Sequence, residues 1–90
     1  MVGINGVKYK LMPESTEVDL KEMENAAKKI VEEFGGTNKE YSIENIAFGL
    51  RALIVFFFYH DDKNIDVMEE RLSKIPNVAS VQLIDMRKIA

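Results

Sequence analysis

The chain contains one histidine, His60, followed directly by Asp61 and Asp62. An imidazole beside a carboxylate could relay a proton or begin a metal site. One histidine with two adjacent carboxylates nevertheless makes no ligand constellation, and a solvated loop histidine accounts for it. Cysteine is absent, which excludes disulfides, thiolate metal sites and cysteine nucleophiles. Ser15, Ser42, Ser73 and Ser80 have no histidine placed to activate them and no nucleophile-elbow motif around them. Gly35-Gly36-Thr37 lacks the lysine of a phosphate loop and follows a helical pattern rather than a strand, so a helix C-cap explains it better. Covalent catalysis therefore finds little support, and neither a metal site nor a cofactor is expected.

Two features fit non-covalent work. Ile46-Ala47-Phe48-Gly49-Leu50 puts a large aromatic at a glycine-containing turn, where the backbone bends and side chains reach outward. Phe48 is either an interface anchor or a lid folded back onto the core, and the pattern does not separate the two. Arg87 and Lys88 close the chain beyond the last strand, as a basic tail that could probe a charged site or simply stand in solvent. The run Phe56-Phe57-Phe58-Tyr59 invites comparison with RNA-binding sheets, which stack bases on exposed aromatics. The basic-glycine-aromatic signature of those sheets is missing. Core packing on one face, with lysine and glutamate stems over the other, is the simpler reading. Acidic residues near the first helix start (Glu17, Asp19, Glu22, Glu24) suit the helix dipole and solubility.

The elements that must position these residues follow from periodicity. Val7, Tyr9 and Leu11 alternate with Lys8, Lys10 and Met12, predicting a strand that Pro13 ends for want of an amide proton. Ser15 or Asp19 can cap a helix over about 19–34, whose apolar face is Leu20, Met23, Ala27, Ile30, Val31 and Phe34. Tyr41 and Ile43 mark a second strand with a polar outer face. Leu50 to Tyr59, apolar on both faces, reads as a central strand. After a turn at 61–64, Ile65, Met68, Leu72 and Ile75 mark a second helix, which Pro76-Asn77 ends. Val78 to about Met86 supplies the last strand.

The order β-α-β-β-α-β predicts an α+β, ferredoxin-like sandwich: a four-stranded antiparallel sheet, order four-one-three-two, with both helices on one face. That topology puts the Phe48 turn and Lys88 at opposite ends of the sheet. A strand of about eight residues spans about 25–28 Å, too far for one compact pocket but suited to two places on a large partner.

Ninety residues fit one domain, taken as 1–90, with an adequate rather than generous core. A composition of 47% hydrophobic and 30% charged residues is ordinary for a globular protein. A net charge of −3 argues against gripping a phosphate backbone. No run approaches the ~18 apolar residues of a membrane span, and no signal-like segment opens the chain. The expectation is a cytoplasmic protein with no direct nucleic-acid or membrane partner, monomeric when free.

Taken together in order and spacing, Leu11-Met12-Pro13-Glu14-Ser15, Ile46-Ala47-Phe48-Gly49-Leu50 and Met86-Arg87-Lys88 resemble one family over about Val7 to Ile89. It is archaeal translation elongation factor 1 beta, the guanine-nucleotide exchange factors of elongation factor 1 alpha. The resemblance implies that Lys88 matches the C-terminal lysine that reaches toward the partner's Mg²⁺ and phosphate region. Phe48 matches the phenylalanine of a turn that contacts another domain of the partner, near where the aminoacyl end of tRNA binds. Ile46, Ala47, Gly49, Leu50 and Met86 flank these contacts as implied partner-binding residues. The implied partner is elongation factor 1 alpha, GDP-bound and nucleotide-free, and the implied activity is exchange of GDP for GTP without covalent chemistry. Departures from the family pattern are Asn45 and Thr16, where prolines are usual, and Lys63-Asn64, where two glycines often stand. Ala90 extends past the usual terminal hydrophobe, here Ile89, which makes Arg87 the substitute candidate for the exchange residue. Readings from other classes are an RNA-binding sheet and a regulatory small-molecule module, and fold alone does not choose among them.

Overall fold

A computed structural model describes residues 3–90. The elements run β1 (Ile4–Pro13), α1 (Leu20–Glu33), β2 (Thr37–Ala47), β3 (Leu50–His60), α2 (Ile65–Ser73) and β4 (Val78–Lys88). The strands form one sheet in the order β2-β3-β1-β4, with every neighbouring pair antiparallel. This is the ferredoxin-like arrangement the pattern predicts.

β1 and β3 are central, and their alternate residues face the helices. Val7, Tyr9 and Leu11 of β1 and Leu53, Val55 and Phe57 of β3 are wholly buried. They pack against Met23, Ala27 and Val31 of α1 and Met68 and Leu72 of α2. Tyr9 stacks on Phe57 with ring centroids 6.1 Å apart. The opposite face of the sheet carries Phe56 and Phe58, half-buried under the ammonium groups of Lys8 (5.4 Å) and Lys39 (4.6 Å). Lysine stems cover the outer aromatics, as expected from the sequence.

Asp19, rather than Ser15, caps α1: its carboxylate accepts from the Lys21 amide at 2.9 Å. Gly35, at φ 82°, ends that helix. Asn64 caps α2 in the same manner, accepting from the Asp66 amide at 2.9 Å. Asn64 thus has a local task in starting α2.

Two strand ends differ from expectation. β1 begins at Ile4, and Pro13 keeps a partner, Val78, as the last pair of the ladder. The longer β1 offers Asn5 and Gly6 as partners for Lys88 and Arg87, so β4 runs past Met86 to Lys88. Arg87 and Lys88 are therefore strand residues rather than a tail beyond the strand. Even Ile89 and Ala90 stay tied, since the Ile4 carbonyl accepts from the Ile89 amide at 2.8 Å and the Ile4 amide donates to the Ala90 carbonyl at 2.9 Å.

Candidate functional site

At one end of the sheet, β2 and β3 are joined by only Phe48 and Gly49, with Ala47 paired to Leu50. Both turn residues have positive φ, 53° and 80°. This is the geometry of a type I′ hairpin turn, whose twist matches that of the flanking strands. Glycine suits it, but an aromatic there costs about 1–2 kcal/mol. Phe48 does not recover that cost by burial, being 102% exposed. The lid alternative is thereby excluded. Beside it Ile46 falls in a register shift between Asn45 and Ala47 and is 39% exposed. Ala47 and Gly49 are exposed and Leu50 is half-buried. The turn leans on the β1–α1 connection, where the Thr16 methyl would lie 3.8 Å from a Cβ on Gly49.

At the other end, alternation along β4 puts Met86 and Lys88 on the helix-covered side of the sheet and Arg87 on the open side. Met86 pairs with Val7 and remains 43% exposed. The Lys88 ammonium lies 3.4 Å from the Asp61 carboxylate. Arg87 instead pairs with Asp85, Nε to Oδ2 at 3.2 Å. The structure thus brings Met86 and Lys88 together and separates them from Ile46 through Leu50 by the length of β3. Ten steps of that strand are about 33 Å, in a molecule whose longest extent is 46 Å.

His60 ends β3 in an exposed position. Among the described residues no group of three or more His, Asp or Glu could hold a metal ion, and no helix is long and apolar enough to cross a membrane. Asp61, read from sequence only as part of the 61–64 turn beside His60, accepts a hydrogen bond from the Gly3 amide at 3.2 Å besides pairing with Lys88. Only the sheet order signals that contact, since it places the start of β1 between the end of β3 and the end of β4.

The profile of the family described as the EF-1 guanine nucleotide exchange domain matches residues 6–89. The chain belongs to that family. It is 34% identical to elongation factor 1-beta of Methanosarcina barkeri, over 98% of this chain and 100% of the relative. The elongation factor 1-beta proteins of Methanobrevibacter smithii and Archaeoglobus fulgidus are each 36% identical, over 89% of this chain and 90% and 91% of their own. Both motif-bearing ends, 46–50 and 86–88, fall within the region matched to the exchange domain. Among solved structures, the ACT domain from GTP pyrophosphokinase of Chlorobium tepidum superposes with a TM-score of 0.58 over 93% of this chain and 100% of that one. At 13% identity that likeness speaks for the fold alone.

Proposed function

We propose that the chain, as one exchange domain over residues 1–90, accelerates GDP release from elongation factor 1 alpha by gripping it at two separated points. The observation that carries this reading is the presentation of Phe48 and Lys88 at opposite ends of one sheet. Phe48, set among Ile46, Ala47, Gly49 and Leu50, docks on one domain of the partner. Lys88, with Met86 on the same side, reaches toward the Mg²⁺ and phosphate region of the nucleotide site. Arg87 has less support, because it faces the other side of the sheet and is paired with Asp85.

The chemistry is electrostatic. Mg²⁺ bridges the nucleotide phosphates and neutralises their charge, so disturbing that contact removes a main source of GDP affinity. An ammonium group is a compact cation that competes for the same region without the ion's coordination geometry. A thousandfold acceleration of release needs about 4 kcal/mol off the barrier. The factor makes no covalent bond and uses no cofactor. It binds the nucleotide-free partner best, and GTP rebinding ejects it by reciprocal coupling. It works in the cytoplasm, as a monomer when free.

Release of a fluorescent GDP analogue from elongation factor 1 alpha tests the reading, with wild type and Lys88→Ala run side by side. Acceleration by wild type, lost in the variant while binding persists, supports it. Acceleration by both moves the role to Arg87 or the Phe48 turn, and acceleration by neither rejects the exchange reading.

A further inference from the structure

We infer that Asp61 and Gly3 form a cradle that orients Lys88, making Asp61 a positioning residue for the exchange step; this rests on the function proposed above. Asp61 is anchored twice to Gly3, the residue before β1, once through its carboxylate and once through its backbone. Its Oδ1 accepts from the Gly3 amide at 3.2 Å, and its own backbone amide donates to the Gly3 carbonyl at 2.9 Å. Its Oδ2 lies 3.4 Å from the Lys88 ammonium. Gly3 supplies the room: a Cβ there would stand 2.5 Å from Asp61 Oδ2 and 2.6 Å from Lys88 Cε, with the Ala90 carbonyl at 3.0 Å. The atoms it would strike first are the ends of two flexible side chains. A methyl group at this position therefore dislodges the ion pair before it disturbs the sheet.

Lysine has a long stem and loses much rotamer freedom when it is ordered. Here the backbone of Lys88 is fixed by the β1–β4 ladder and its tip is held by Asp61, so part of that loss is met before the partner arrives. The side chain remains 68% exposed, and the pair is within reach of solvent and of a docking surface. An exposed pair of this kind is weak, which lets Lys88 exchange Asp61 for the denser negative charge of phosphate groups. Asp61 thus aims the ammonium without retaining it.

Two measurements test this. The first reads the lysine directly, by NMR relaxation and proton shifts of the Lys88 ε-methylene in wild type, Asp61→Asn and Gly3→Ala. Asp61→Asn keeps the acceptor for the Gly3 amide and removes only the charge. Ordered Lys88 in wild type that becomes mobile in both variants supports the cradle, and a Lys88 already mobile in wild type overturns it whatever the exchange assay gives. The second is a double-mutant cycle on GDP release with Asp61→Asn, Lys88→Ala and the double variant. The maximal acceleration is expected to fall about three- to fivefold in Asp61→Asn, the scale of one exposed ion pair. The factor concentration for half effect should stay unchanged, and Asp61→Asn should add nothing in the Lys88→Ala background. Equal slowing by Asp61→Asn in both backgrounds overturns the inference in favour of a structural role. A wild-type rate in Asp61→Asn overturns it while leaving the exchange reading intact. No acceleration by wild type rejects both.

Discussion

At the β2–β3 tip a phenylalanine stands wholly in solvent on a left-handed backbone, whereas at the β1–β4 end a lysine sits in a hydrogen-bonded ladder with its ammonium paired. The first end works against stability, since both the conformation and the hydration of Phe48 are unfavourable. The second end costs the fold little, because its backbone groups are satisfied through Ala90 and its charge has a partner. An apolar contact needs only to be presented, and a partner's surface then supplies the burial that the free protein lacks. A cation that must meet phosphate and metal has to arrive with a direction. The two ends fit the different demands of the grip proposed above.

The largest expected effect breaks the Lys88 end. Lys88→Ala should slow stimulated GDP release on the order of a hundredfold, the result of losing about 3 kcal/mol of a charged interfacial contact, while pull-down of the partner persists. Phe48→Ala breaks the other end in the opposite sense. It should raise the half-saturating factor concentration about thirtyfold, as for a central aromatic anchor worth about 2 kcal/mol, with the maximal rate largely kept. A result in which both variants change the same kinetic quantity would erase the distinction between docking and displacement.

A smaller effect sharpens the contrast. Phe48→Asn creates the Asn-Gly pair that type I′ turns favour, so the isolated protein should gain about 0.5–1 kcal/mol and melt about 2–8 °C higher. The same variant should lose partner affinity much as Phe48→Ala does, a trade of stability against function visible at one residue. Calorimetry of the free protein checks it.

The smallest effect belongs to neither end. Lys28, 2.8 Å from Glu24 on α1, holds that carboxyl below its usual range through their hydrogen-bonded ion pair. A pKa depressed in the folded state adds stability that is complete above the ordinary glutamate value and is lost as pH falls through the folded one. Glu24→Gln should therefore remove no more than a few tenths of a kcal/mol at neutral pH and flatten the acid limb of the denaturation curve. Its exchange activity should equal wild type.

Much of this is legible in the sequence. Leu50 to Tyr59 is apolar on both faces because it is central, and period two in Val7–Leu11 names the residues that prove buried. The end of β4 was not legible. Ile4-Asn5-Gly6 mixes an aliphatic, a polar residue and a glycine, so no alternation announces that β1 has already begun there. Without that extension Arg87 and Lys88 have nothing to pair with and read as a tail. The turn at Phe48 was legible from its small neighbours, but an anchor and a lid share one pattern, and only exposure separates them. Asp61 was hidden for a third reason: its contacts, Gly3 and Lys88, meet it only through the order of the strands.

The antiparallel pairing of β3 with both β1 and β2 has a metric consequence. The spacing between the two proposed contact points is counted out in residues, like graduations on a ruler, at about 3.3 Å each. It changes only in whole steps, and every single step also turns the next side chain to the other face. A lineage of such factors could therefore vary nearly every surface residue of the sheet, yet could alter the length of the β2–β3 hairpin only in pairs or by adding a bulge such as the one at Ile46.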